Sequence, residues 1–347
     1  MPKTLPAITR RDFTLGASLL AASLIAGMPV ARAAAPTQLR IGLILVSGVE
    51  NGWEATLIAA LERLKAEKPQ GLEVSWKASD PLWGDEAGEA MRLYAESGAF
   101  DVIWAHSTYS DQVKKLKDAY PEILFVVSGS GNEGLGGNQY WAYKRVHESA
   151  YLLGVIAGLS TKTGVIGAVG TFPADDVNDS LNAYFAGARS VRPDIKTRVA
   201  FVQSWYDPPK AAQLANAQMA EGADFIYQLA ANFQPCVEKN ILCFGNFSDE
   251  NAAAPEVVVS SSVAVWDPDV RRIVNAWWAH KAEGKPYDGN KEPVWFSLAQ
   301  GGTALAPYHG LDARLPPGTA QKIEELKAKI IDGSLKVPLD VSEPKAG

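Results

Sequence analysis

Leu39-Arg40-Ile41-Gly42-Leu43-Ile44-Leu45-Val46 is a nearly unbroken apolar run, and a stretch with Leu57, Leu61 and Leu64 at helical spacing follows it closely. A strand that is apolar on both faces has to be covered on both faces, and a helix directly after it supplies half of that cover. The same rhythm continues along the chain. Strands are expected at 72–79, 101–105, 123–128, 165–170, 198–204, 224–229, 241–244 and 257–264, and helices at 85–97, 111–120, 147–161, 179–191, 209–221 and 268–282. Apolar strands joined by helices predict parallel sheets in an α/β protein. Two interruptions, the Gly-rich run 129–137 and the irregular stretch 281–291, argue for two open sheets over one closed barrel. The expected architecture is two lobes, 37–144 plus 262–290 and 145–261 plus 291–347, with a cleft at the carboxyl ends of both sets of strands.

The chain has 347 residues, 47% of them hydrophobic and 21% charged, with 30 Gly and 21 Pro, which excludes a disordered or collagen-like polypeptide. Its net charge of −6 provides no basic field for a polyanion, so nucleic acid is not an expected partner. Near the amino terminus, Arg10-Arg11 precedes an uncharged apolar stretch from Leu15 to Val30 that ends in Ala31-Arg32-Ala33. This reads as a twin-arginine export signal cut after Ala33. Cleavage there takes four of the 33 basic and one of the 39 acidic residues, leaving 29 and 38, a net −9. No cysteine stands at the cut, so the expectation is a free, non-lipidated periplasmic protein. Cys236 and Cys243 are the two cysteines, and their spacing leaves a structural disulfide open while fitting neither a redox nor a metal motif.

Few residues suggest catalysis. His106, His147, His280 and His309 lack the spacing of a zinc site, and His147 reads as a packing residue at a helix start. Gly129-Ser130-Gly131-Asn132-Glu133-Gly134 matches GxGxxG, but Leu135-Gly136-Gly137 continues as loop, so the dinucleotide reading fails its context. No metal or cofactor is expected. The aromatic residues at strand ends say more. Trp53, Trp205 and Trp266 each follow a strand, close to the short polar side chains Asn51, Ser107, Asp207, Asn232 and Asn246. Flat rings beside hydrogen-bonding groups would sandwich a planar heterocycle, and Tyr109, Trp141 and Phe172 complete the candidate ligand set. Each tryptophan has packing as its alternative, and Asp207, before Pro208-Pro209, has helix capping.

Glu148-Ser149-Ala150-Tyr151-Leu152-Leu153-Gly154, Ala157-Gly158, Thr161-Lys162-Thr163-Gly164-Val165-Ile166-Gly167, Gly170 and Ala186-Gly187-Ala188 together resemble the basic-membrane-protein (PnrA-like) family of substrate-binding proteins of ABC importers. The likeness runs on through Trp205-Tyr206-Asp207-Pro208, Gly222-Ala223-Asp224 and Phe244-Gly245-Asn246. It implies a type I periplasmic-binding fold that closes on a purine nucleobase or nucleoside and delivers it to a membrane permease. By position, Asn51 and Trp53 match the family's ligand-facing first loop, and Trp205 with Asp207 its aromatic-x-Asp element. Asn246 stands where many members carry an Asp that grips the ribose, and the lysine after the Ser-Ser strand is missing from Ser261-Ser262-Val263-Ala264-Val265. These departures point toward the nucleobase binders, such as those for adenine, although Ala230-Ala231-Asn232-Phe233 replaces their polar segment. The expectation is a monomeric solute receptor. The rival readings are a periplasmic hydrolase using His106 or Asp207 as base, and a ligand sensor with no transport role.

Overall fold

The computed structural model describes residues 35–205 and 207–347. The expected export signal, 1–33, and Tyr206 lie outside the described residues. In chain order the elements are β1 (Gln38–Ile44), α1 (Gly52–Glu67), β2 (Glu73–Ala78), α2 (Gly84–Glu96), β3 (Val102–Ala105), α3 (Ser110–Lys114), β4 (Leu124–Ser128), β5 (Gln139–Ala142), α4 (His147–Ser160), β6 (Val165–Gly170), α5 (Asp175–Val191) and β7 (Lys196–Phe201). There follow α6 (Pro208–Ala220), β8 (Phe225–Gln228), α7 (Gln234–Lys239), β9 (Leu242–Phe247), β10 (Val258–Ala264), α8 (Asp267–Glu283), β11 (Thr303–Leu305) and α9 (Thr319–Ile331).

The strands form two sheets, as the apolar runs predict. The first is parallel throughout in the order β2-β1-β3-β4-β5; the second runs β11-β10-β9-β8-β6-β7, parallel except for β11. In each sheet the order reverses once, between β1 and β3 and between β6 and β8. At such a switch point the connections leave to opposite faces and open a crevice beyond the carboxyl ends, where ligands of open α/β sheets bind.

The first lobe's core joins Leu39, Ile41 and Leu43 of β1 to Leu57, Leu61 and Leu64 of α1 and to Val270, Ile273 and Trp277 of α8. Helix α8 is thus shared out of sequence, completing the first lobe although it follows β10 of the second sheet. In the second lobe α4 and α5 pack so closely that a methyl group at Gly154 would lie 1.9 Å from the Tyr184 carbonyl oxygen, and one at Gly187 2.0 Å from that of Tyr151. These glycines belong to the motifs that carry the family resemblance.

The structure differs from the sequence reading in several places. Gln139–Ala142, just past the Gly-rich interruption and given no element by the sequence reading, is a fifth strand on β4, its apolar run masked by the aromatic residues. Helix α3 stops at Lys114, well short of 120, and continues as turns. Strand β9 reaches Phe247, so Asn246 sits inside a strand. Ser262–Ala264, assigned by sequence to the first lobe, pair with Thr303–Leu305 in the second sheet. Conversely Val294, assigned to the second lobe, bridges Ala142 of the first.

Candidate functional site

Asn51 caps α1, its Oδ1 accepting the Trp53 amide at 3.1 Å, and this fixes where Trp53 enters the cleft. The Trp53 indole donates to the His106 carbonyl at 3.0 Å and stacks on the His106 ring, with centroids 4.8 Å apart and planes 15° from parallel. Trp266 meets both rings edge-on and donates its own N–H to Thr56 Oγ1 at 3.2 Å. Phe247, from the second lobe, reaches the Trp53 edge at 5.1 Å. Burial lowers the His106 pKa to about 3, so the ring is neutral at ordinary pH, and its Nε2 lies 3.1 Å from the Trp53 carbonyl. That contact puts the proton on Nε2. Both candidate bases of the hydrolase reading carry structural contacts: the buried His106 ring is stacked on Trp53, and Asp207 accepts the Lys210 amide at 3.0 Å as the α6 cap.

The GxGxxG stretch proves to be a turn wound around one asparagine. Asn132 Nδ2 donates to the carbonyls of Ser107, Ser128 and Gly129, and its Oδ1 accepts the amides of Tyr109 and Ser110. Gly129 and Gly131 hold φ of +78° and +74°, which the turn requires. Trp141 donates to the Gly129 carbonyl at 2.8 Å from one side, while the Trp53 ring lies against Gly129 from the other.

Across the cleft, Phe172 follows β6 and packs edge-on against Trp205 at 5.0 Å. Trp205 is 44% exposed, whereas Trp104 and Trp266 are fully buried. Non-glycine residues with positive φ gather at these strand ends: Gln203 after β7, Ala231 after β8 and Phe247 at the end of β9. Such backbone conformations cost about 1–3 kcal/mol each and concentrate at functional sites.

Other expected ligand groups are engaged elsewhere. Tyr109 is buried in the first lobe, with its hydroxyl on the Leu82 carbonyl at 2.6 Å, so it is a core residue and not a cleft residue. Asn232 ties the Pro208 carbonyl to the Gln234 amide. Asn246 Oδ1 accepts Tyr227 and Ser262 hydroxyls, both at 2.8 Å, in the floor of the second sheet. Ser107 offers its backbone carbonyl to the turn. Cys236 and Cys243 are buried free thiols.

The sequence reading missed a polar cluster where the chain first crosses between the lobes. Tyr143 donates to Asp175; Arg145 pairs with Asp175 at 3.1 Å and with Asp179, and lies over the Tyr143 ring. Beside it, Lys144 is fully buried, paired with Asp269 and donating to the Val265 carbonyl at 2.7 Å. Lys144 therefore joins the first crossing to the second. Asp176, in the first turn of α5, is 7% exposed, and burial, with Asp175 beside it, lifts its pKa to about 6, partly offset by the nearby Ser130 hydroxyl of the opposite lobe. Two adjacent acids a few residues past a strand end were the available signal, but such a pair also reads as an ordinary acidic helix start.

A family model described as "ABC transporter substrate-binding protein PnrA-like" matches residues 40–336. A purine-binding protein of Brucella abortus is 26% identical over 320 residues, 90% of this chain and 86% of that protein. An ABC transporter nucleoside-binding protein of Lactococcus lactis is 40% identical over 84 residues, 24% of each chain. Among solved structures, an ABC transporter solute-binding protein from Conexibacter woesei superposes with a TM-score of 0.69 at 18% identity, over 88% of this chain and all of that one. A transcriptional activator of the comK gene from Bacillus halodurans reaches 0.68 at 16% identity, over 86% of this chain and 99% of that one. At those identities the likeness is one of fold, which by itself carries no function.

Proposed function

The chain belongs to the PnrA-like family of ABC transporter substrate-binding proteins, and from that membership we propose that it is the receptor of a purine importer, closing its two lobes on a nucleobase or a related nucleoside. The observation that carries this reading is the inequality of the aromatic faces in the cleft. Trp53, Trp141 and Trp266 have their indole N–H groups bonded within the protein, and Trp53 already has a stacking partner. Trp205 keeps 44% of its surface open, and among the described residues its one ring contact is the edge-on Phe172. An open indole at a strand end, beside strained backbone, is suited to take the face of a flat ring. The purine-binding relative from Brucella abortus, similar along nearly the whole chain, supports the same ligand class.

Closure would bury the ligand and present the shape that a permease recognises, the ligand favouring that shape by its higher affinity for it. Export through the twin-arginine signal, cleavage after Ala33 and a monomeric, non-lipidated mature protein in the periplasm belong to the same proposal.

The test is calorimetry on mature protein that has been unfolded and refolded to strip carry-over, titrated with purine bases, their nucleosides and a set of pentoses and hexoses. Purines are expected to bind and to be recovered unchanged. Trp205→Ala should weaken them by roughly 5- to 150-fold, in line with about 1–3 kcal/mol per stacked base. Binding of a sugar with silence across all purines would overturn the ligand class, and conversion of the bound compound would overturn the receptor reading.

A further inference from the structure

We propose that Asp176 is the group that reads the ligand's edge, its carboxylate accepting an N–H, and that the protein therefore prefers purines bearing an exocyclic amino group to their oxo counterparts; this rests on the purine reading above. Asp176 stands beyond the carboxyl end of β6, at the switch point of the second sheet, in the first turn of the 17-residue helix α5. It faces Ser130, on the turn that Trp53 and Trp141 flank, so it lies where the lobes meet.

Three acids crowd this helix start, and two are engaged. Asp175 takes Tyr143 and Arg145, and Asp179 takes Arg145. Asp176 differs: it is more than nine-tenths buried, and its Oδ1 has no hydrogen-bond partner among the described residues. A buried carboxylate oxygen without a donor is costly. The first turn of a helix tolerates the negative charge, through the free backbone N–H groups and the helix dipole, but no donor of the described residues reaches Oδ1. A ligand N–H arriving on closure would. A ring carbonyl at the same point would set oxygen against oxygen, and a site built for one hydrogen-bonding group rejects the analogue that lacks it.

Calorimetry with adenine and hypoxanthine as probes tests this on the wild type and Asp176→Asn, at pH 7.5 and pH 5.5. The wild type should bind adenine at least tenfold more tightly. In Asp176→Asn the amide can turn a donor toward the carbonyl of hypoxanthine, so the preference should collapse or invert. A merely structural role would not move that ratio. Wild-type affinity for adenine should also fall roughly fourfold on going to pH 5.5, because a carboxyl titrating near 6 must lose its proton to accept the N–H. The charged and titratable groups facing it are Asp175 and Asp179 on its own helix, and Tyr143 and Arg145 on the crossing. The slope should be absent in Asp176→Asn. If that variant does not fold, the wild-type ratio and pH slope decide. Equal wild-type affinities, an unchanged ratio in the variant, or a flat pH response would overturn the proposal alone. A wild type that binds no purine would overturn the purine reading, and this proposal with it.

Discussion

Glu250 stands just after β9, with its carboxylate on the Asn246 amide at 2.9 Å. Burial raises its pKa from the ordinary 4.5 to about 8, and neighbouring Asp249 pushes in the same direction. Because the folded protein holds this proton more tightly than the unfolded chain, it binds more protons between pH 4.5 and 8, and stability falls as pH rises through that window. Glu250→Gln keeps an acceptor for the amide and never ionises. It should be more stable than the parent by about 1–3 kcal/mol at pH 8, with the gap closing toward pH 4.5, as read from urea unfolding at both values. A gap independent of pH would mean that Glu250 does not titrate in this range. The residue scale is also where sequence reading reached least far. Asp207 was legible as a cap because capping is local, whereas Asn51 read as a ligand-facing group of the first loop and its cap on α1 came only with the structure. The pairing of Arg145 with Asp179, or of Lys144 with Asp269, joins residues far apart in the chain, and no spacing rule reveals it. Asp176 looked like any acidic residue at a helix start until its burial and its bare oxygen were visible.

Among the elements, the seam between α4 and α5 is the least forgiving. A methyl group at Gly154 would overlap backbone atoms of Tyr184, and one at Gly158 would come within 2.7 Å of the Ala188 carbonyl oxygen. Backbone cannot rotate out of the way, so Gly154→Ala should force the helices apart and cost about 3 kcal/mol or more. Gly88, inside α2, is the control: its added methyl would meet only the flexible Gln112 side chain, at 3.2 Å. Gly88→Ala should be neutral or stabilise by up to about 1 kcal/mol. Thermal unfolding of the pair checks both, and equal melting temperatures would refute the close-packing account. The elements themselves were mostly readable. Strands buried on both faces announce themselves as apolar runs, and β6 was bounded correctly from sequence. Strand β5 escaped because Tyr140 and Trp141 mix ring area with polar atoms, and the early stop of α3 leaves no strong signal in Lys114-Lys115-Leu116-Lys117.

For the whole molecule, the proposed closure has a direct mechanical test. Gly52, at the start of α1, and Ser248, just past β9, face each other across the lobes, and a Cβ built on Gly52 lies 3.4 Å from that of Ser248. This separation is close to disulfide range. The double variant Gly52→Cys, Ser248→Cys should therefore cross-link under mild oxidation, faster with a bound purine than without, and the oxidised protein should release ligand at least tenfold more slowly. Unchanged release would argue that ligand leaves without the lobes parting. The two-lobed architecture was readable from the alternation of strands and helices, whereas the contacts between lobes were not, since they depend on how separated segments meet. One feature of that architecture reaches beyond the finished protein. Val270, Ile273 and Trp277 of α8 fill the core beneath α1, yet the ribosome makes them only after nearly all of the second lobe. The first lobe cannot be completed as it emerges. Its Leu57, Leu61 and Leu64 can pack on β1 but stay bare on the side that α8 fills until residue 277 is clear of the exit tunnel, so truncations ahead of α8 should yield insoluble fragments in place of a folded amino-terminal half.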